Sequence, residues 1–401
     1  MSTTTERPSR KLPKVPTNLR QYGILAALAV IVILFQVLTN GRLLLPGNIN
    51  NLIQQNAYVL ILAVGMVIVI IAGHIDLSVG SVVAMVGAIS AIAMTQWGLP
   101  WYVAVVVALL VGAGVGAWQG FWVAFVGIPA FIVTLAGMLL FRGLTLVLLT
   151  GGTINALPPE FNAIGGGWLP ELFGTIGEGR GSRDILTVVI GLVASASLIA
   201  VQLRARRKQR RLELITEGSL SFWLKNGIAV VVIIALTWQL SAYRGTPIIF
   251  VIVAALILIY TFVLTRTVFG RHVYAMGGNL FAAQMSGVKT QWVNFFIFVN
   301  MGALAGLAGI VTTARAGGAV ASAGQSFELD AIAAVFIGGA AVTGGVGTVI
   351  GAVVGALIMG VLNMGLSILS VDAAWQQTIK GLVLLLAVAF DVLSKRRSGG
   401  R

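Results

Sequence analysis

The sequence contains no cysteine and only two histidines, His74 and His272. Disulfides, thiolate metal sites and a cysteine nucleophile are excluded together. Two imidazoles are too few for a histidine-built metal centre without carboxylate help. Acidic side chains are scarce as well, 12 in 401 residues, and all charged residues together make up 9% of the chain. A soluble domain carries roughly 25%, so a soluble globule of this size would lack polar surface. The 58% hydrophobic content also exceeds what a disordered chain tolerates in water. No Gly-x-x-x-x-Gly-Lys-[Ser/Thr] phosphate loop occurs, which removes ATP binding by that route.

What is present is hydrocarbon-compatible sequence. Apolar runs fall at 22–38, 57–72, 79–95, 101–119, 121–149, 185–203, 226–242, 248–264, 292–313, 331–343, 349–369 and 378–393. Most reach the about 20 residues that a helix needs to cross a core of roughly 30 Å. The strands of a membrane barrel would alternate polar and apolar residues instead. The expected fold is therefore an all-α polytopic membrane protein of about 12 transmembrane segments. The run at 121–149 breaks at Gly127-Ile128-Pro129, which places its helix start near Ala130. The run at 331–343 is short and is followed by Gly344-Gly345-Val346-Gly347; it reads as a full span, a half-helix or a re-entrant segment.

The net charge of +14 sorts by side. With twelve crossings and the N-terminus inside, nineteen Lys and Arg fall inside, five outside and two, Arg142 and Lys380, within spans. Such an excess marks the cytoplasmic face, so both termini are expected to be cytoplasmic. The basic run Arg204–Arg211 lacks the interleaved aromatics of a nucleic-acid patch and adjoins a span, so it reads as an anchor to anionic membrane lipid. The resulting plan has an N-terminal tail at 1–21 and a transmembrane domain at 22–393. Within that domain lie an external loop at 150–184, a basic inner loop at 204–225 and a second inner loop at 265–291; a short tail follows at 394–401.

Fifty glycines suit helices that approach closely in lipid. Gly112, Gly116 and Gly120 form one stripe, and Gly347, Gly351 and Gly355 another. Both read as helix packing inside the subunit, or alternatively as a sliding or dimer surface. Polar residues in spans are the candidates for a solute path: Asp76, in Gly73-His74-Ile75-Asp76-Leu77-Ser78-Val79-Gly80, along with Arg142, Gln119, Asn300 and Asn363. Asp76 equally suits a helix cap. Further uncharged hydrogen-bonding residues (Gln54, Gln55, Asn56, Thr134, Asn294, Gln376 and Gln377) lie near or within spans and suit a polyhydroxylated solute or helix–helix hydrogen bonds. No acid is placed at mid-membrane, where an ion-coupled carrier usually needs one. Lys380 and Asp391, too far apart on one helix to pair, are expected to snorkel to opposite interfaces.

The inner loop at 265–291 mixes apolar and small residues where a mere linker would be polar. It predicts a short helix between Gly278-Asn279 and Gly287, with Val273, Tyr274, Met276 and Phe281 as a docking surface. At these residues the chain resembles the permeases of sugar ATP-binding-cassette (ABC) importers of the ribose/xylose/arabinose branch. The matching stretches are Gly73–Gly80, Ile128–Gly143, Gly270–Gly287, Phe327–Ile332, Gly338–Gly347 and Gln376–Asp391. The extra spans near 185–242 make it most similar to xylose or multiple-sugar permeases. The resemblance implies a non-enzymatic subunit of a bacterial inner-membrane importer. It would work as a homodimer with a cytoplasmic ABC ATPase, which binds ATP and Mg, and a periplasmic sugar-binding protein. No cofactor, metal or nucleic acid is expected on this chain. By the same likeness Gly270, Arg271, Tyr274, Ala275, Gly277, Gly278, Asn279, Ala283 and Gly287 belong to the segment that couples to the ATPase. This sequence has Leu280-Phe281 where relatives often carry polar residues. An ion-coupled carrier and a passive channel are the alternatives.

Overall fold

The computed structural model describes residues 19–150, 152–177, 182–213 and 218–399. The expected tail at 1–18, together with Glu178, Arg180 and Arg401, lies outside the described residues. The chain folds into α1 (Leu19–Leu38), α2 (Pro46–Gln55), α3 (Ala57–Ile71), α4 (Val79–Thr95), α5 (Trp101–Phe121), α6 (Ala130–Leu149), α7 (Pro159–Gly166), α8 (Ile185–Arg211), α9 (Ser219–Ser241), α10 (Ile248–Arg266), α11 (Val268–Gly278), α12 (Leu280–Met285), α13 (Thr290–Ala316), α14 (Phe327–Ile337), α15 (Val349–Ile368) and α16 (Ala373–Gly399). Two small antiparallel pairs complete it. β1 (Thr153–Asn155) pairs with β4 (Gly318–Val320), and β2 (Thr175–Ile176) with β3 (Arg183–Asp184).

Local chemistry sets the boundaries. Pro100, Pro129 and Pro247 stand immediately before α5, α6 and α10, where a fixed φ favours a helix start and the missing N–H costs nothing. Asp184 accepts from Thr187 N at 2.9 Å to cap α8, and Thr348 accepts from Gly351 N at 3.0 Å to cap α15. α5 ends in a wide turn over Trp122–Val126 that Gly127 closes at φ +84°, the break expected before Ala130.

Seven described helices are long and apolar enough to cross a membrane, and α2 with α3, bent by 44°, form an eighth candidate. α1 and α4 include shorter apolar stretches. α14 has 11 residues and a length of about 16 Å at 1.5 Å per residue, half of a hydrocarbon core. The short run at 331–343 is thus a half-helix. Its polar start at Phe327–Asp330 lies N-terminal to the predicted run, and 338–348 is loop.

α3 is buried on every side except at Tyr58, as expected of an apolar helix with no polar face. α13, α14 and α15 pack around it. Without a hydrophobic drive between helices in lipid, association depends on close backbone approach. Gly112, Gly116 and Gly120 lie on α13, where an added Cβ would meet the carbonyls of Gly302, Phe298 and Phe295. Gly351 and Gly355 do the same against Gly338 and Ala334, and Gly347 sits against Ile71 and Ala340. Both stripes lie within the subunit. The α8–α9 hairpin is peripheral: its seam is Thr187, Gly191 and Ser195, with Gly191 on Thr237, while most of its apolar side chains are exposed.

The bundle has two distinct ends. One carries β1, β4 and α7, whose Gly165 lies against the Val311 carbonyl and Arg315. The other carries α11 and α12, of which α11 meets Ile71 at the end of α3 and Gly344–Gly345 in the loop at 338–348.

Candidate functional site

At the β1–β4 end a cavity of about 470 Å³ opens among α2, α3, α13, α14, α15 and α16. Gln54, Gln55, Asn56, Asn363 and Gln376 contribute to its wall, so five amides scattered over more than 300 positions of sequence come together. Asn363 Nδ2 donates to Asn56 Oδ1 at 3.3 Å, and Gln54 Nε2 donates to the Gly166 carbonyl at 3.3 Å. The floor is aromatic: Phe327 stacks on Tyr58 with ring centroids 3.5 Å apart. Beneath it the Tyr58 hydroxyl donates to Asp330 Oδ2 at 2.7 Å, and Lys380 Nζ lies 3.2 Å from Asp330 Oδ1. Lys380 is therefore paired across helices, not snorkelling away from its neighbours as expected. Sequence reasoning could not find this partner, because Asp330 is 50 residues away on the half-helix.

Of the five path candidates, Asn363 alone borders this cavity. Asp76 and Gln119 are buried in a relay at the start of α4, where Asp76 Oδ1 accepts from Ser78 N at 2.8 Å and Ser78 Oγ at 2.6 Å, and Gln119 Nε2 donates to Ser78 Oγ at 2.7 Å. Arg142 donates from one nitrogen to the carbonyls of Ala321 and Ala323, at 3.1 and 2.7 Å, tying α6 to the loop that leads into α14. Asn300 accepts from the Tyr260 hydroxyl and joins α13 to α10.

At the opposite end, α11 and α12 divide the coupling residues into two faces. Gly270, Tyr274, Gly277 and Ala283 face the bundle. An added Cβ at Gly270 would meet the Leu264 carbonyl, and one at Gly277 would overlap the Ile71 carbonyl and crowd Gly345 N. Gly345 N itself donates to the Ile71 carbonyl at 2.8 Å, with Gly345 at φ +74°, a conformation open to glycine. Burial pushes the Tyr274 phenol above its ordinary pKa, so it remains a donor, and it bonds the Gly347 carbonyl at 2.7 Å. Thus α11 touches the C-terminus of α3 and the loop that starts α15. Val273 and Met276, expected on a docking surface, are instead buried in the core, because α11 is a helix whose apolar stripe faces inward.

The outward face holds Arg271, Ala275, Gly278, Asn279 and Gly287. Asn279 caps α12 by accepting from Ala282 N at 2.9 Å, and Gly278 has open space where a Cβ would stand. Leu280, Phe281 and Met285 are the exposed apolar side chains of α12, Phe281 at 70%. The short helix between Asn279 and Gly287 matches the sequence expectation; α11 before it is an element the sequence reading missed. Its Thr267 cap, which accepts from Gly270 N at 3.2 Å, was the available signal.

Among the described residues no cluster of His, Asp and Glu could hold a metal ion. The family model described as "Branched-chain amino acid transport system / permease component" matches residues 48–388. The chain is 40% identical to the xylose transport system permease protein XylH of Haemophilus influenzae over 95% of its own length and 98% of that protein. It is 39% identical to XylH of Escherichia coli K12, covering 95% and 94%, and 33% identical to the ribose import permease protein RbsC of Haemophilus influenzae, covering 93% of each. No solved structure matches the chain. With a match that runs from within α2 to within α16, this multi-pass membrane chain belongs to the branched-chain amino acid transport system permease component family, among whose members it is similar to xylose and ribose permeases.

Proposed function

We propose that this chain is the membrane passage of an ATP-driven sugar importer, carrying xylose or a related aldose across a bacterial inner membrane as a homodimer. The likeness to xylose and ribose permeases supports the solute class, and the cavity where Asn363 meets four other amides supports a hydroxyl-rich cargo. The chain makes twelve crossings, with α14 as one half-length crossing and both termini in the cytoplasm. The α11–α12 end is cytoplasmic, which agrees with the side that collects the basic residues, and the β1–β4 end faces the periplasm and the sugar-binding protein.

The observation that carries the mechanism is the seat of α11. A cytoplasmic ABC ATPase docks on Leu280, Phe281 and Met285 with Arg271, Ala275, Gly278, Asn279 and Gly287 around them. Force on α11 then reaches α3 and α15 through Gly277 and Tyr274, whose contacts leave no slack. A bistable bundle biased by nucleotide and ligand would alternate its opening. Asn363 lines the path. Asp76, Gln119, Arg142 and Asn300 hold the helices that move along it.

ATP-dependent uptake of labelled xylose into proteoliposomes holding the chain with its ATPase and binding protein is the expected result. Uptake indifferent to ATP and abolished by an ionophore would instead identify an ion-coupled carrier. Orientation is open to direct measurement because the chain has no native cysteine. An impermeant thiol reagent on intact spheroplasts should label Gln96→Cys and spare Ser286→Cys; the reverse pattern would invert the topology.

A further inference from the structure

Lys380 borders two cavities. One is the amide-lined space of about 470 Å³; the other, of about 350 Å³, is bordered by Gln325, Ser326, Asp330 and Gln377 as well. Lys380 therefore stands at the boundary between them, while its partner Asp330 borders only the second, whose wall also holds Leu329, Ala333, Met359 and Leu384. Taking two charges out of water is expensive, and apolar residues of similar volume would often pack as well or better. An ion pair kept at such a boundary has groups to offer a solute.

Those groups fit one chemical class. A carboxylate accepts only, an ammonium donates only, and each amide does both, which matches hydroxyls that donate and accept in turn. Asp330 neutralises Lys380, and Arg315, which also lines the amide cavity, adds further donors for hydroxyl oxygens. Asn363 adds an independent sign. Its Oδ1 is buried with no hydrogen-bond partner among the described residues, although its Nδ2 is paired with Asn56. A buried acceptor without a partner is costly, and a hydroxyl donated from the cavity would satisfy it. The Phe327 ring offers an apolar surface to the C–H face of a pyranose.

We infer that this chain holds its own station for a neutral monosaccharide, formed by Lys380, held in place by Asp330, with Asn56 and Asn363 over the Phe327 ring, and that these residues discriminate among sugars after the soluble binding protein has released its cargo. The station rests on the reading of the chain as a sugar passage. Adjacent hydroxyls bridge Lys380 and Asn363, so an analogue that lacks one of them leaves the buried Asn363 Oδ1 unpaired and is rejected.

The test uses the full chain in lipid nanodiscs without its partners, with D-xylose and 2-deoxy-D-xylose as probes and saturation-transfer NMR as the readout. The expected result is a xylose signal at least tenfold stronger than that of the deoxy sugar. The signal should be lost in the double variant Asp330→Asn with Lys380→Met and weakened in Asn363→Leu. Thermal unfolding is measured alongside; if the double variant does not fold, Asn363→Leu and Asn56→Ala decide. No xylose signal in the wild type, or equal signals in wild type and folded variants, overturns the station. ATP-driven uptake by the assembled transporter separates the two readings. Uptake with unchanged sugar preference in the variants sinks the station alone, whereas absence of ATP-driven uptake in the wild type sinks the importer and the station with it.

Discussion

At the α11 end of the bundle, backbone packs on backbone, whereas at the β1–β4 end polar side chains surround open space. Gly277, Gly345 and the Ile71 carbonyl meet with no room for a Cβ, while the amide cavity of about 470 Å³ is bounded by groups that can rotate and exchange partners. Close-packed interiors transmit displacement because they cannot absorb it. Flexible polar walls can accept a solute in more than one pose. Under the proposed function force falls to one end and recognition to the other, and each can be disturbed separately.

The largest effect is expected at the recognition end. Lys380→Met leaves the buried Asp330 without a counter-charge and with only the Tyr58 hydroxyl, a loss approaching about 3–5 kcal/mol when one partner of such a pair is removed. Thermal unfolding in nanodiscs should show it, and adding Asp330→Asn should restore most of it. If the single variant is as stable as wild type, Lys380 is solvated and the pair is not a structural unit. Next comes Gly277→Val, which drives a side chain into the Ile71 carbonyl. Overpacking costs about 1–3 kcal/mol, and the added signature is ATPase activity that no longer drives uptake. Coupled transport in this variant would show that α11 does not act through α3.

Smaller still is Tyr274→Phe, which removes one neutral hydrogen bond to Gly347, worth about 0.5–1.5 kcal/mol. Its burial-raised pKa implies that this bond persists through neutral pH, so the variant's deficit should be flat between pH 6 and 8. A deficit that vanishes over that range would mean that the phenol ionises there. The smallest change in chain stability belongs to Phe281→Ala, within about 0.5 kcal/mol because the side chain is exposed. Its effect is expected in co-purification of the ATPase, and undiminished association would remove α12 from the docking surface.

Much of this arrangement was legible in the sequence. The starts of α5, α6 and α10 were visible because proline and the apolar run mark them locally. The glycine stripes were visible as a four-residue spacing, whereas the helices they meet, α13 and α14, were not. Lys380 was misread because its partner lies on a half-helix remote in sequence. Val273 and Met276 were misread because apolar residues in a short inner segment look alike whether they face a partner or the core. The path candidates were chosen by polarity alone, and polarity does not distinguish Asn363 on a cavity from Asn300 between two helices.

The sequence by itself determined that this chain lives in a bilayer and has no phosphate loop of its own, and it pointed to the face that collects the positive charge. Those are properties of composition and local order, which hydrocarbon and water sort residue by residue. Only the tertiary structure decided which amides share a cavity, which acid holds Lys380 and which face of α11 is free. Each of these depends on contacts between helices far apart in the chain, and no local pattern encodes which faces meet.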